Sequence, residues 1–410
     1  MAAHDRSRLF RRKRYMKRIH FYLIYALTVL LTYAAQGVFG PIAATFLLDK
    51  GLSSEMSSTI LAAAPLFIIV LVPSIGKLAS RTGMIGKLCE IELVFAAVCN
   101  VLFLFTPSAI LLFVLYGVTV SLLQSVFTLL DIIMLQSQFR YDSLRIWASL
   151  GYAVAAQSAG VLYDKVSYAA VYGLNFFVLL ASAFLIKTIQ KYDRTNPKRR
   201  VVNQKSCSLR DIVKNKTYLQ VLFFSFFIMG IFVSQEAFSP MLFREVGGTA
   251  AQVGLYQLLL TLFEIPIFLA ADHILRRVSW LWIAAVCSFF STVTYFWYAL
   301  LPEPGLLIAA FWVKGASFSL FVFASVKTIK EVVAEDALSF AMAVQNMAAK
   351  GVCALIISLA GGKIIGLFGI RSFYGVISLM SLAVFLAAVF LLVVFAKKSY
   401  RTKTTRSDHT

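Results

Sequence analysis

The chain has 410 residues, 60% of them hydrophobic and only 14% charged, with a net charge of +20. A soluble fold of that make-up has too little polar surface to cover itself, so lipid must form part of its solvent. The positive charge raises the question of a nucleic-acid partner, and the distribution of that charge along the chain answers against one.

A hydrocarbon core about 30 Å thick is crossed by roughly 20 mainly apolar helical residues. Runs of this kind predict twelve spans, at 20–46, 58–78, 88–106, 109–134, 145–163, 169–188, 217–239, 251–272, 279–300, 305–326, 338–364 and 371–396. The stretch from Arg6 to Arg18 is basic and enters a first span too long for the apolar region of a signal peptide, so residues 1–19 read as an uncleaved cytoplasmic N-terminus. Six spans then fill 20–188. A basic linker at 189–216, containing Pro197-Lys198-Arg199-Arg200, separates them from six more in 217–396, and 397–410 forms a polar tail. The remaining gaps are short, which makes consecutive spans antiparallel. The expected fold is an all-α membrane protein of twelve transmembrane helices in two six-helix bundles.

Of the 39 Lys and Arg residues, 32 lie at the termini, in the linker or in every second gap. Five (Lys50, Lys165, Arg244, Lys363 and Arg371) occupy the alternate gaps, and Lys314 and Lys350 fall inside spans. This asymmetry orients membrane helices with their basic loops inward. It predicts a multi-pass protein of the cell membrane with both termini cytoplasmic. Anionic lipid headgroups, not nucleic acid, are the expected counter-charge. The five cysteines show no C-x-x-C pair, and the four histidines lie at the chain ends or in a loop. Neither a metal site nor a cofactor is expected. No phosphate-binding loop is present to bind a nucleotide.

A charged side chain at the bilayer centre costs about 2.5–3.5 kcal/mol on insertion scales, so such residues usually pair or line a cavity. Asp131 lies toward the cytoplasmic end of span 4 and Arg145 begins span 5. Glu236 lies in the outer part of span 7, and Glu264, Lys314 and Lys350 fall near the midplane of spans 8, 10 and 11. Asp131 and Arg145 share a depth on consecutive helices and are expected to pair. Glu264 and Asp131 are the candidate proton carriers, while Arg145 and Glu236 have the alternative of snorkelling to the nearer interface. Polar side chains at depth, including Tyr33, Gln36, Gln157, Gln235, Tyr256, Gln257, Gln345 and Asn346, suit a hydroxyl-rich or polar solute, with interhelical hydrogen bonding as the alternative for each. Of these residues, Gln36, Gln257, Lys314 and Asn346 are candidate substrate contacts.

After span 2 comes Gly76-Lys77-Leu78-Ala79-Ser80-Arg81-Thr82-Gly83, followed by Lys87. It resembles the loop signature of the major facilitator superfamily, with Ser80 where that family usually has aspartate. The stretch Tyr141-Asp142-Ser143-Leu144-Arg145-Ile146-Trp147-Ala148-Ser149-Leu150-Gly151-Tyr152 resembles the entry to the fifth helix in the branch holding lactose permease, other oligosaccharide:proton symporters and phenylpropionate-type permeases. The resemblance places Arg145 at the arginine that binds substrate hydroxyls, Asp131 near its acidic partner and Tyr152 at the aromatic on which a sugar ring stacks. It implies gating roles for Gly76, Arg81, Gly83 and Lys87, to which the mid-depth Lys350 is added. The histidine and glutamate of the lactose permease proton site have no counterpart in span 10. The resulting expectation is a monomeric secondary transporter of a small polar or aromatic solute (sugar, oligosaccharide, nucleoside or aromatic acid), symported with protons by alternating access, and not an enzyme. A proton-antiporting exporter of sugars or amphipathic drugs is the runner-up. A non-transporting sensor or a membrane-embedded enzyme is the reading of another class.

Overall fold

The computed structural model describes residues 2–193, 214–333 and 338–407, and every regular element in them is helical. Most of the linker, 194–213, lies outside the described residues. The first half comprises α1 (Ala2–Asp49), α2 (Ser54–Leu61), α3 (Ala63–Thr82), α4 (Ile85–Phe105), α5 (Ala109–Gln136), α6 (Tyr141–Lys165) and α7 (Tyr168–Asp193). The second comprises α8 (Lys216–Glu245), α9 (Ala250–Leu275), α10 (Trp280–Ala299), α11 (Pro304–Ala309), α12 (Phe311–Val332), α13 (Leu338–Asn346), a π-helical turn (Met347–Cys353) and α14 (Ala354–Ser407).

Ten segments are long and apolar enough to cross a membrane. One of them, Ala341–Val394, runs 54 residues and folds back at Gly369, whose φ of 78° is open to glycine and strained for other residues. Phe373 accordingly packs against Gly361, and the segment supplies two crossings. Helix α6, 25 residues long but more polar, adds another. Twelve crossings follow among the described residues, at the places where the apolar runs predict them.

The structure departs from the sequence expectation in local detail. The second crossing is broken at Ala62, three residues before Pro65, which has no N–H to give and whose ring excludes the carbonyl one turn back. The tenth is broken at Ala310 and the eleventh carries the π turn. The linker expected from 189 begins later, because α7 continues to Asp193.

Packing explains the overall shape. One buried cluster joins both halves, Phe39, Phe46 and Tyr172 of the first meeting Met241, Phe243, Tyr256 and Phe373 of the second. Toward the opposite end each half has a core of its own: Tyr25, Leu93, Leu130 and Ile186 in the first, Phe224, Ala284, Phe321 and Val384 in the second. The bundles are therefore fused at one end and separate at the other. Large apolar side chains such as Phe105, Ile110 and Phe177 face outward, as a lipid-facing surface requires.

Candidate functional site

In the first half, α1 and α6 touch backbone to backbone. A Cβ on Gly37 would lie 3.1 Å from Tyr152 Cα and nearer still to its carbonyl oxygen; one on Gly151 would lie 2.9 Å from Leu30 Cα. Small residues at both contacts permit this approach, and it carries Tyr33 onto Arg145. Arg145 Nη1 donates to the Tyr33 hydroxyl and, at 3.3 Å, to Asp131 Oδ1. Tyr141 donates to the same Asp131 oxygen at 3.2 Å. The Tyr33 ring also lies 4.9 Å from the guanidinium and stacks on Phe127 at 4.1 Å. The expected Asp131–Arg145 pair is thus formed, with side chains 34% and 43% exposed.

The second half holds a tighter nest. Lys314, its side chain 3% exposed, donates to Glu236 Oε1, to Gln235 Oε1 and, at 2.6 Å, to the Tyr256 hydroxyl. Its ammonium sits 4.7 Å from the Phe232 ring centre. Glu236 also accepts from Gln257 Nε2 and from Tyr256 at 3.4 Å, and Gln235 Nε2 donates to Tyr374 at 3.1 Å. Glu236 therefore turns inward to a buried cation instead of snorkelling to the interface. Gln257 is engaged in the same nest.

Between these clusters lie Glu264 of α9 and Lys350 of the π turn, both half-buried. Neither makes a hydrogen bond or ion pair among the described residues, although each lies within reach of the other's charge. Arg145 of the first half acts on both, and Tyr152 lies within reach of Glu236 and Glu264. Gln36 on α1 and Gln157 on α6 each keep a buried, unbonded amide oxygen.

Other candidates make no contact with these clusters among the described hydrogen bonds and ion pairs. Asn346 is exposed and donates to Met342 O of its own helix at 3.1 Å. Gly76, Arg81, Gly83 and Lys87 are exposed near the free end of α3, where Gly83, at φ 65°, terminates the helix in the left-handed conformation. Sequence reading passes over Glu92, which is 4% exposed on α4 and faces the Ser125 hydroxyl of α5. A second acid within the first five residues of the predicted span 88–106 was the available signal.

It also passes over the residues that seal the fused end. Asp49 Oδ1 accepts from Arg244 Nη1 and Asp49 Oδ2 from the Tyr163 hydroxyl, both at 2.5 Å. Asp164 of α6 accepts from the first backbone N–H groups of α9, Ala250 at 3.2 Å and Ala251 at 2.7 Å. These orphan donors and the positive end of the helix dipole favour a carboxylate at that position. Beside it Gly160 meets Ala250 and Gly254 meets Ala156 and Gln157, with no room for a Cβ on either glycine.

Comparison with known proteins gives three kinds of match. The profile of the MFS_1 like family covers residues 22–376. A maltose permease from Geobacillus stearothermophilus is 24% identical over 381 residues, 92% of this chain and 94% of that protein. Among solved structures, the nucleoside transporter NupG superposes with TM-score 0.74 at 12% identity, covering 90% of this chain and 98% of its own. The peptide transporter POT in complex with sulfate gives 0.72 at 12% identity, with 90% and 94% covered. At such identities the structural likeness speaks for the fold alone.

Proposed function

The chain belongs to the MFS_1 like family and is a multi-pass membrane transporter of the major facilitator type, and from that premise we propose proton-coupled symport of a hydroxyl-rich solute, a sugar or oligosaccharide, by alternating access. The observation that carries the reading is Glu264. It is a carboxylate near the middle of α9, without a hydrogen-bond partner among the described residues, within reach of charges from both halves. A group so placed can exchange a proton and register the movement of the opposing half. The maltose permease relative directs the choice of solute toward sugars, and Arg145, Tyr33, Tyr152 and the unbonded amides of Gln36 and Gln157 supply donors, stacking surface and acceptors for hydroxyls.

In this reading both termini lie in the cytoplasm and the fused end lies outside, which the gathering of basic residues in every second gap supports. The conformation is then cytoplasm-facing, with Asp49–Arg244 and the Asp164 cap closing the outer gate. The halves 20–188 and 217–396 rock about this contact as a monomer, and Lys87 and the Gly76–Gly83 turn meet the opposite half when the inner side closes.

Reconstituted vesicles test the reading. An inward proton gradient should drive accumulation of at least one radiolabelled solute from a panel of sugars and sugar acids that includes maltose. Glu264→Gln should retain solute exchange and lose gradient-driven accumulation; unchanged accumulation rules out Glu264 as the carrier.

A further inference from the structure

The charges between the bundles do not all find partners. Asp131 answers Arg145 and Glu236 answers Lys314, so each cluster is neutral within itself. Lys350 and Glu264 remain, too far apart for an ion pair. Arg145 and Glu264 carry charges within reach of Lys350, and Glu236, Lys314, Lys350 and Arg145 carry charges within reach of Glu264. Among the described residues the interface thus holds an ammonium, Lys350, and a carboxylate, Glu264, without an ion-pair partner.

The backbone that presents Lys350 is special as well. A π turn is rare and concentrates at functional sites, and its extra residue redirects the side chains it carries. This one is wedged between the bundles. Gly351 abuts Ile69 of α3 in the first half, while Cys353 and Ala349 abut Gly230 of α8 in the second. Relaxation of residues 347–353 to a plain α-helix would rotate Lys350 away from its present direction.

We propose that Lys350 receives an anionic group of the transported solute, which makes the substrate an organic acid of the hydroxyl-rich class, a sugar acid, and not a neutral sugar. This deepens the transport reading and rests on it. An ammonium is a compact point charge with three donors and suits a carboxylate. With that carboxylate on Lys350, Glu264 is left as an uncompensated charge among the described residues between the bundles, and a proton on it restores neutrality. Acid anion and proton then cross together without net charge.

The test melts the purified full-length protein with two matched pairs, glucose against glucuronate and maltose against maltobionate. The acid member of a pair should raise the melting midpoint and the neutral member should not. Lys350→Gln should weaken acid binding about tenfold or more, the range of a charge-assisted hydrogen bond, and Lys350→Arg should retain most of it. In vesicles loaded with potassium, acid uptake driven by a proton gradient should be unaffected when valinomycin sets the membrane potential. Equal binding of the neutral sugars, no response to either acid, full affinity in Lys350→Gln, or uptake that follows the membrane potential would each overturn the proposal. Should Lys350→Gln fail to fold, the matched pairs and the valinomycin arm on the natural protein decide alone. Proton-driven uptake of maltose without any response to the acids leaves the transport reading standing and removes this one.

Discussion

Two ion pairs of the same chemical kind occupy the two halves, and they are built for opposite ends. Lys314–Glu236 is buried, with the cation held by Gln235, Tyr256 and Phe232 as well as by its carboxylate. Arg145–Asp131 is a third to two fifths exposed, at 3.3 Å, with one tyrosine on each member. A buried pair whose every donor is spent cannot exchange partners cheaply, because removing one member strands the other in low dielectric. A pair open to solvent loses little when separated and is free to engage a solute. The difference suits Lys314 and Glu236 to holding α8, α9 and α12 together, and it fits the recognition role proposed above for Arg145.

The largest effect should come from breaking the buried pair. Glu236→Gln or Lys314→Met should lower unfolding stability in detergent by about 3–5 kcal/mol. The double variant Lys314→Met with Glu236→Gln should regain part of that loss, since no uncompensated charge is left. Equal stability of all three proteins would erase the distinction between the pairs.

Arg145→Gln should behave differently. Stability should fall by less than about 1 kcal/mol, as for exposed pairs. Solute uptake in vesicles should fall more than tenfold, because a charged donor to the solute is removed (about 1.5–3 kcal/mol). A large loss of stability with normal uptake would reverse the assignment of the two clusters.

A smaller effect is expected at Tyr33, which braces the guanidinium through its hydroxyl and its ring. Tyr33→Phe keeps the ring and deletes one hydrogen bond, so solute affinity should weaken by about 0.5–1.5 kcal/mol with the maximal rate preserved. The KM-against-kcat split in vesicle uptake reads this directly.

The third pair, Asp49–Arg244, joins the halves at the fused end with side chains 38% and 48% exposed. Asp49→Asn should shift the balance between the two open states by no more than about 1 kcal/mol, or up to about fivefold in population. Accessibility of a cysteine placed near Gly160 to a membrane-impermeant thiol reagent measures that shift. No change in labelling would leave closure of that end to the glycine contacts and the Asp164 cap.

The sequence alone showed which residues are costly in a membrane, but not what relieves the cost. Asp131 and Arg145 were expected to pair because consecutive helices and shared depth leave few other arrangements, and they do. Glu236 and Lys314 lie 78 positions apart on helices that are not consecutive, and nothing in the linear order announces their contact. Glu92 escaped notice because it is close to Glu90 and Lys87 near a span end, where acids are ordinarily solvated. Asn346 and Gln257 read alike as deep amides, yet one is exposed and the other is spent in the Lys314 nest.

The crossings, their number and the gathering of basic residues in every second gap follow from the sequence by itself, because hydrocarbon thickness and charge cost act along one dimension and are written in run length and position. Partners, the π turn under Lys350 and the fusion of the bundles at one end follow only from the tertiary structure, since they depend on which helix faces meet. That is settled by close packing at a few glycines and by the need of each buried charge for a nearby opposite.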